Sequence, residues 1–458
     1  MYLKQFYIDG LAHASYLLGS EGMAAVVDPR RDVDIYLREA RKQGLRITHV
    51  IETHLHADFI SGHLELARQT GAQVYVSRSA GAQYEHIAVS EGDEIRMGKL
   101  VLRILETPGH TPEHITPVVS DLTRAEDPCL AFTGDVLFVG GVGRPDLFGT
   151  ERAKQLSDRL FDSLHNKLGL LPDYVEVYPA HGEGSLCGRN LSEKRWSTIG
   201  YEKRFNDAFQ PATPEKFRKE ILKDMPMVPR YFHRTSEINR LGPKILGQIC
   251  PPRAITVGET NELLDKGHLL LDIRTPEAFG GAHIPGAYNL WFSHSLATWA
   301  GWVLPNDRPI LLLLDAPEHG EEVVRQLLRV GFDDVAGYVD GGMEDWMEAG
   351  LPIATLPQIS IHQLRDSIES DNETIITDVR TLAEYNEGHI AGALNIHAGQ
   401  MDDRYDELNK DDAIAIICRT AHRSSVAGSI LKRHGFENVC NVSGGMTAWR
   451  NVGYEVAT

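Results

Sequence analysis

The feature that most limits how this chain can fold is a duplication. Leu271-Asp272-Ile273-Arg274-Thr275-Pro276-Glu277 is matched by Thr377-Asp378-Val379-Arg380-Thr381-Leu382-Ala383. Gly281-Ala282-His283-Ile284-Pro285-Gly286-Ala287 is matched by Glu387-Gly388-His389-Ile390-Ala391-Gly392-Ala393, and Gly341-Gly342-Met343 with Trp346 by Gly444-Gly445-Met446 with Trp449. The spacing is about 105 residues, far above the roughly 20–50 of solenoid repeats, so each copy is a whole small domain. The copies span 255–355 and 358–458. Continuous apolar runs such as Leu269–Ile273 and Ile310–Leu314 read as buried parallel strands. Glu321–Val330 has helical periodicity and ends at Gly331. Each copy is expected to be a compact α/β domain with a parallel sheet.

Residues 1–225 share none of this and are expected to form a separate domain, followed by a linker rich in proline and charge at 226–254. Runs at Met23–Val27, Ile47–Ile51, Leu100–Leu105, Leu130–Thr133 and Tyr174–Tyr178 read as strands, and Ser61–Thr70 as a helix ended by Gly71. A chain of 458 residues needs more than one core. Its net charge of −18 argues against nucleic acid as a partner. No apolar run is long enough to span a bilayer, and Met1 to Phe6 lacks the character of a signal peptide. Cys129, Cys187, Cys250, Cys418 and Cys440 are few, odd in number and unclustered, which predicts free thiols in a reducing, cytoplasmic setting.

Four polar clusters follow apolar runs in the first domain. Thr53-His54-Leu55-His56-Ala57-Asp58 follows Ile47–Ile51, and His110 lies in Thr107-Pro108-Gly109-His110-Thr111. Asp135 follows Thr133-Gly134, and His181 lies in Pro179-Ala180-His181-Gly182. Ligands bind where the strands of α/β sheets end, and the neighbouring glycines permit sharp turns and close backbone approach. Together these clusters point to a metal site.

Their order resembles the metallo-β-lactamase superfamily, whose signature is His-x-His-x-Asp-His followed by distant His, Asp and His. The resemblance covers roughly residues 1–200 and implies an αββα sandwich. The last histidine of the signature, which binds a second metal in most hydrolytic members, is replaced here by Phe59, so one metal is expected. In the persulfide dioxygenase branch the resemblance implies a ligand set of His54, His110 and Asp135. Two histidines and a carboxylate with open positions suit non-haem Fe(II), although zinc accepts the same donors. His56, Asp58 and His181 then orient ligands or line the pocket. Gly140-Gly141-Val142-Gly143-Arg144-Pro145-Asp146-Leu147 looks like the Gly-x-Gly-Arg-x-Asp stretch of that branch, with Arg144 and Asp146 either paired or contacting substrate. Cys187, six residues after His181, is a possible relay thiol.

A second constellation, Cys418-Arg419-Thr420-Ala421-His422-Arg423-Ser424, lies between the apolar run Ala413–Ile417 and a helical stretch. A cysteine there gains backbone donors and the positive end of a helix, and three basic side chains add charge, as a sulfur nucleophile requires. With Asp378-Val379-Arg380 and Gly388-His389-Ile390 upstream, the loop resembles the rhodanese family, whose Cys-x-x-x-x-Arg is met by Cys418 and Arg423. That implies sulfur transfer through a cysteine persulfide, cradled by Arg419, Thr420, Ala421, His422 and Ser424. Aligning the repeats sets Asp315 opposite Cys418 and Gly320 opposite Arg423, so the copy at 255–355 is expected to be inactive and to serve in packing, spacing or dimer contact. A homo-oligomer is expected on that ground.

The two resemblances imply one chemistry. A low-molecular-weight thiol persulfide, of glutathione or coenzyme A type, is oxidised by O2 to sulfite and thiol on one Fe(II) per chain. Cys418 moves sulfane sulfur between cysteine persulfide and sulfite or thiosulfate, in a direction the sequence leaves open. A zinc thioesterase of the glyoxalase II type fused to a sulfur carrier is the alternative, and a non-catalytic sulfur-binding module is a third.

Overall fold

Alternation along the strand Met23–Val27 explains the layering of the N-terminal part. Ala25 and Val27 point into a core with Leu102, Ile104, Val119 and Phe132, while Ala24 and Val26 point into another with Tyr36, Ala40 and Leu66. A strand apolar on both faces must be covered on both sides. The first core lies between two six-stranded sheets, and the second lies under the helices Asp34–Lys42 and His63–Thr70. A third, with Ala131, Leu160, Val177 and Phe217, packs the other sheet against the helix Thr150–Asp162. The result is an αββα sandwich. The computed structural model describes all residues except Asn190, Asp224, Asp371 and Asn372. Met1–Ile249 with Leu328–Gly331 form one unit, and Cys250–Leu327 with Phe332–Thr458 form another.

The first sheet takes Tyr2–Ile8, His13–Ser20, Met23–Val27, Arg46–Ile51, Gln73–Ser77 and Ile87–Val89 in chain order. The second runs Ser197–Thr198, Glu176–Pro179, Pro128–Gly134, Ile115–Asp121, Leu100–Glu106 and Glu94–Met97. The strand expected from Tyr174 starts only at Glu176, because the backbone turns just before it, with Val175 N donating to Pro172 O. The helix expected from Ser61 starts at His63, because Ser61 N donates to Asn239 and Gly62 N to Pro29 O.

The segment 226–254, expected as a linker, belongs largely to the first unit and carries the helix Tyr231–Leu241. The reason is Asn239, which is 1% exposed. Its amide donates to the carbonyls of His56 and Phe59, each at 2.8 Å, and accepts from Ser61 N at 2.9 Å. A helix from beyond the expected boundary thus closes the loop that carries the first histidine cluster.

In the second unit each repeat forms its own five-stranded parallel sheet. The order is Ala254–Ile255, Val335–Val339, Ile310–Leu313, Leu269–Asp272, Tyr288–Asn289 in the first copy. It is Gln358–Ser360, Val439–Ser443, Ala413–Ile417, Thr374–Asp378, Leu394–Asn395 in the second. The ladders correct the repeat alignment by one residue. Asp272 pairs with Leu313 and Asp378 with Ile417. Leu314 therefore stands opposite Cys418, and His319 opposite Arg423, in place of Asp315 and Gly320. Gly331 and Gly435, which close the following helices, keep the same offset. The strands there are runs of interchangeable apolar residues, which carry no register of their own. The pairs Asp272–Arg274 and Asp378–Arg380 are both present, so this motif is a buried strut of the fold in a copy with the cysteine and in one without it.

Replacing Asn239 by Ala leaves two carbonyls and one N–H unmatched at a buried site. The expected loss is about 2–4 kcal/mol of unfolding free energy in urea titration, since each unsatisfied buried group costs roughly 1–3 kcal/mol less any water that enters.

Candidate metal centre and sulfur-transfer loop

His54 and His110, at the sandwich's strand ends, are each tied on one ring nitrogen, and that tie decides what the other can do. Asp28, at the end of its strand, accepts from Thr53 N at 2.7 Å and Thr53 Oγ1 at 2.9 Å. The Thr53 hydroxyl, having given its proton to Asp28, accepts from His54 Nδ1 at 2.9 Å. His110 Nδ1 donates to the carbonyl of Arg144 at 2.9 Å. Both rings therefore keep a lone pair on Nε2. These two atoms face Asp135 Oδ2, at 3.8 Å from His54 and 3.4 Å from His110. All three atoms are buried and have no hydrogen-bond partner. His54, His110 and Asp135 are thus one convergent donor set that could hold a cation.

Asp135 is aimed by His181. Its Oδ1 accepts from His181 Nδ1 at 2.8 Å, and Asp58 Oδ2 accepts from His181 Nε2 at 2.8 Å. Burial opposes charge on this imidazole, but the two carboxylates outweigh it and hold its pKa well above the usual histidine range. Both ring nitrogens of His181 are thus committed to carboxylate oxygens. Burial likewise opposes ionisation of Asp135, yet His181 keeps its carboxyl well below the usual range. At His54 burial again opposes charge, and neighbouring imidazoles add to it, which favours the neutral ring that a metal needs.

His56 turns away from this set. Its Nε2 lies 3.2 Å from Asp28 Oδ1 and 3.7 Å from Glu52 Oε2, forming a second buried cluster. Phe59 is fully buried, its ring 4.0 Å from that of His13 and 4.4 Å from that of His56. Arg144 and Asp146 form a two-bond pair at 2.7 and 2.9 Å, and the same guanidinium reaches the carbonyls of Leu186 and Pro226. Cys187 is fully buried beside Asp58 and His181, and burial, reinforced by Asp58 and Asp135, pushes its thiol well up.

Several residues at this centre were missed. His114 accepts from Asp135 N through Nε2 at 3.0 Å, while its Nδ1 donates to Thr107, and its ring stacks 5.1 Å from that of His54. His13, Asp28 and Asn239 also belong here. His114 sits four residues after His110, a signal that was available. The other three lie in ordinary surroundings and come together only through the fold.

The loop of Cys418 joins the strand Ala413–Ile417 to the helix His422–Arg433. Its sulfur accepts from Ala421 N at 3.2 Å and Ser424 Oγ at 3.3 Å. The loop's carbonyls point the other way, with Cys418 O taking Met446 N and Arg419 O taking Thr447 N. A Cβ on Gly445 would stand 2.4 Å from Cys418 O, so only glycine permits this approach. Ala421 is held at φ +115°, a conformation that costs a non-glycine residue on the order of 1–3 kcal/mol and turns its N–H onto the sulfur.

The three basic side chains of this loop are differently placed. Arg423 is bound to Glu384 by two bonds of 2.6 and 2.7 Å. Burial opposes ionisation of Glu384, but Arg423 and the Thr381 donors bring its carboxyl down to about 2. Partial burial lowers the pKa of His422, and the side chains of Arg419 and Thr420 are exposed. Glu384 was not foreseen. In the first copy Ala278 stands at its position and His319 at that of Arg423, so both ends of the pair are lost together. A ring stack of Phe292 on His319, centroids 4.3 Å apart, lies there instead.

Residues 8–181 match the metallo-beta-lactamase superfamily, and residues 256–349 and 360–452 each match the rhodanese-like domain. Over 201 residues the chain is 33% identical to the mitochondrial persulfide dioxygenase ETHE1 of Mus musculus, spanning 42% of this chain and 73% of that protein. Over 163 residues it is 36% identical to a hydroxyacylglutathione hydrolase of Polaromonas sp., spanning 35% and 57%. A crystal structure of a metallo-beta-lactamase from Staphylococcus aureus superposes with a TM-score of 0.65 at 34% identity, covering 74% of this chain and 98% of that one. Among the described residues no helix is long and apolar enough to cross a membrane.

Two variants test this geometry. A Cβ at Gly143 would stand 2.0 Å from Asp135 O and 2.9 Å from the His110 ring. Gly143→Ala is expected to weaken metal retention at least tenfold against a chelator while circular dichroism stays native. Glu384→Gln removes the anion that holds Arg423, and thiosulfate-dependent sulfur transfer is expected to fall about tenfold. A depressed carboxyl contributes stability above its unfolded pKa and loses it as pH falls toward the folded value. Order in the wild-type loop should therefore decline between about pH 4.5 and pH 2, and Glu384→Gln should flatten that decline.

Proposed function

The chain belongs to the metallo-β-lactamase superfamily, with kinship to persulfide dioxygenases and two rhodanese-like domains following, and from that premise we propose an iron-dependent persulfide dioxygenase joined to a sulfurtransferase. The observation that carries this reading is the donor set itself. Three buried, unpartnered atoms, two imidazole nitrogens and one carboxylate oxygen, converge on one point, with Phe59 where a ligand of a second metal would stand. Two nitrogens and one oxygen with room for further ligands fit Fe(II).

The overall change is R–S–SH + O2 + H2O giving R–SH, sulfite and two protons. Iron, when bound by His54, His110 and Asp135, would supply the redox chemistry that brings O2 to the outer sulfur. The chain's own residues fix the donors. Asp28 and Thr53 hold His54, the Arg144 carbonyl holds His110, and His181 keeps one proton toward Asp135 and another toward Asp58. Asp58, Cys187 and Phe59 wall the space. Burial favours the neutral thiol of Cys187, which suits a wall residue better than an attacking relay. The substrate is a small thiol persulfide of glutathione or coenzyme A type. The five free cysteines, one of them a sulfur nucleophile, suit a reducing cytoplasm.

In the second half, Cys418 attacks the outer sulfur of thiosulfate, whose S–S bond breaks. Sulfite leaves with the electron pair, and the cysteine persulfide remains beside Ala421 N–H and Ser424. Run backward, the same step turns sulfite into thiosulfate. Linking the two activities in one chain raises the local sulfite concentration for that reverse step.

Purified protein should carry about one iron per chain and consume O2 when given glutathione persulfide, with sulfite and thiosulfate together formed in equal amount. His110→Ala and Asp135→Asn should lose both metal and O2 uptake. Zinc in place of iron, with hydrolysis of a glutathione thioester and no O2 uptake, would overturn this in favour of the hydroxyacylglutathione hydrolase reading.

A further inference from the structure

We infer that the copy lacking the cysteine completes the sulfur-transfer site of the other. Its Trp291 is a positioning residue that holds the His422 ring at the lip of the Cys418 loop, where a small sulfur oxyanion such as thiosulfate is admitted. This rests on the sulfurtransferase reading of Cys418.

The contact is a parallel stack, with ring centroids 4.1 Å apart and planes 13° from coplanar. His422 is the first residue of the helix whose preceding N–H and whose Ser424 hydroxyl touch the sulfur. Its Nδ1 lies 3.3 Å from Thr420 Oγ1, so the imidazole is held at a face and at an edge. Both rings remain partly exposed while Cys418 is 1% exposed, so the stack sits at the surface above a buried nucleophile.

Trp291 is firmly anchored. Two residues before it, Asn289 accepts from Ser425 Oγ at 2.5 Å and donates through its backbone to Ser429 Oγ at 3.1 Å. Both serines lie on the helix that begins at His422. Arg433 of the same helix lies 4.1 Å over the Tyr288 ring and donates to Gly286 O. The segment from Gly286 to Trp291 thus grips the nucleophile's helix along its length.

Comparison of the copies shows why the ring has to come from the other one. Asn289 corresponds to Asn395, so Trp291 and Phe292 correspond to His397 and Ala398. In the first copy Phe292 supports the loop ring of His319. In the second, Ala398 has no ring to offer, and His397 faces Trp302 of the first copy at 5.2 Å. The small side chain leaves room for the Arg423–Glu384 pair, and Trp291 supplies the aromatic support instead.

The test uses the full chain with thiosulfate as sulfur donor and reduced glutathione as acceptor. Sulfur uptake on Cys418 is read by intact-protein mass spectrometry, and KM and kcat by steady state. Trp291→Ala and His422→Ala should each raise the KM for thiosulfate about three- to tenfold with little change in kcat, as loss of one aromatic pair predicts. The double variant should be no worse than the poorer single one, because the two rings act as a unit. Trp291→Phe, which keeps a ring, should restore most of the affinity and covers the case in which the alanine variant folds poorly. A KM for Trp291→Ala and for His422→Ala equal to wild type, or effects that multiply in the double variant, would overturn the inference while leaving the role of Cys418 intact. If wild type takes up no more sulfur than Cys418→Ser, the sulfurtransferase reading falls and the inference with it.

Discussion

Three buried atoms without a hydrogen-bond partner, His54 Nε2, His110 Nε2 and Asp135 Oδ2, govern the N-terminal unit. Leaving such groups dry and unpaired costs on the order of 1–3 kcal/mol each, and more for a charged oxygen. A fold retains that arrangement when a cation answers all three at once. The surrounding contacts follow from this need. Asp28 fixes Thr53, whose hydroxyl takes His54 Nδ1, the Arg144 carbonyl takes His110 Nδ1, and His181 donates to Asp135 Oδ1, so each of these contacts falls on the atom that does not face the centre. Gly143 and Asn239 work one layer further out, bringing loop backbone close enough for those contacts to form.

The Cys418 loop meets the opposite problem. On the sulfurtransferase reading proposed above, its sulfur has to stay reactive yet shielded, so donors have to be gathered around it without burying bare charge. The chain does this with strain at Ala421, two carbonyls turned outward onto the helix Gly445–Asn451, and an Arg423 whose charge is already matched by Glu384. Pairing the arginine with Glu384 offsets the cost of burying its charge. The first copy shows what happens when this need disappears. The carboxylate, the guanidinium and the small side chain that made room for them are all absent, and a phenyl-imidazole stack fills the site.

Much of this was legible in the sequence because it rests on local pattern. The strands Arg46–Ile51, Leu100–Glu106 and Pro128–Gly134 were readable as apolar runs, and the duplication as repeated motifs. The convergence of His54, His110 and Asp135 became an expectation once the order of motifs was set beside a known family. What could not be read depends on register or on distant contact. A one-residue offset between Leu314 and Cys418 is invisible in strands of interchangeable Ile and Leu, and only the ladder fixes it. Asn239 lies in a proline-rich stretch with the composition of a linker, and its partners are some 180 residues away. Asp28 and His13 carry no motif at all. The charges around Cys418 were counted correctly but placed wrongly, since the sequence lists Arg423 without showing that Glu384, 39 residues earlier, occupies it.

The fate of the first copy follows from the same packing that keeps it in place. The helix His422–Arg433 is buried along most of one face, and that face is built from Ser425, Gly428 and Ser429. Small residues there suit close approach by another backbone. A Cβ on Gly428 would come within 2.7 Å of Leu356, and Asn289 accepts from Ser425 and donates to Ser429. A lone domain would expose these groups and weaken the helix whose N-terminus carries the nucleophile. Once such a helix depends on a neighbouring sheet, the neighbour is free to lose its own chemistry but not its fold. The Asp272–Arg274 strut is present in a copy without the cysteine, as Asp378–Arg380 is in the copy with it, so the strut serves the fold of both.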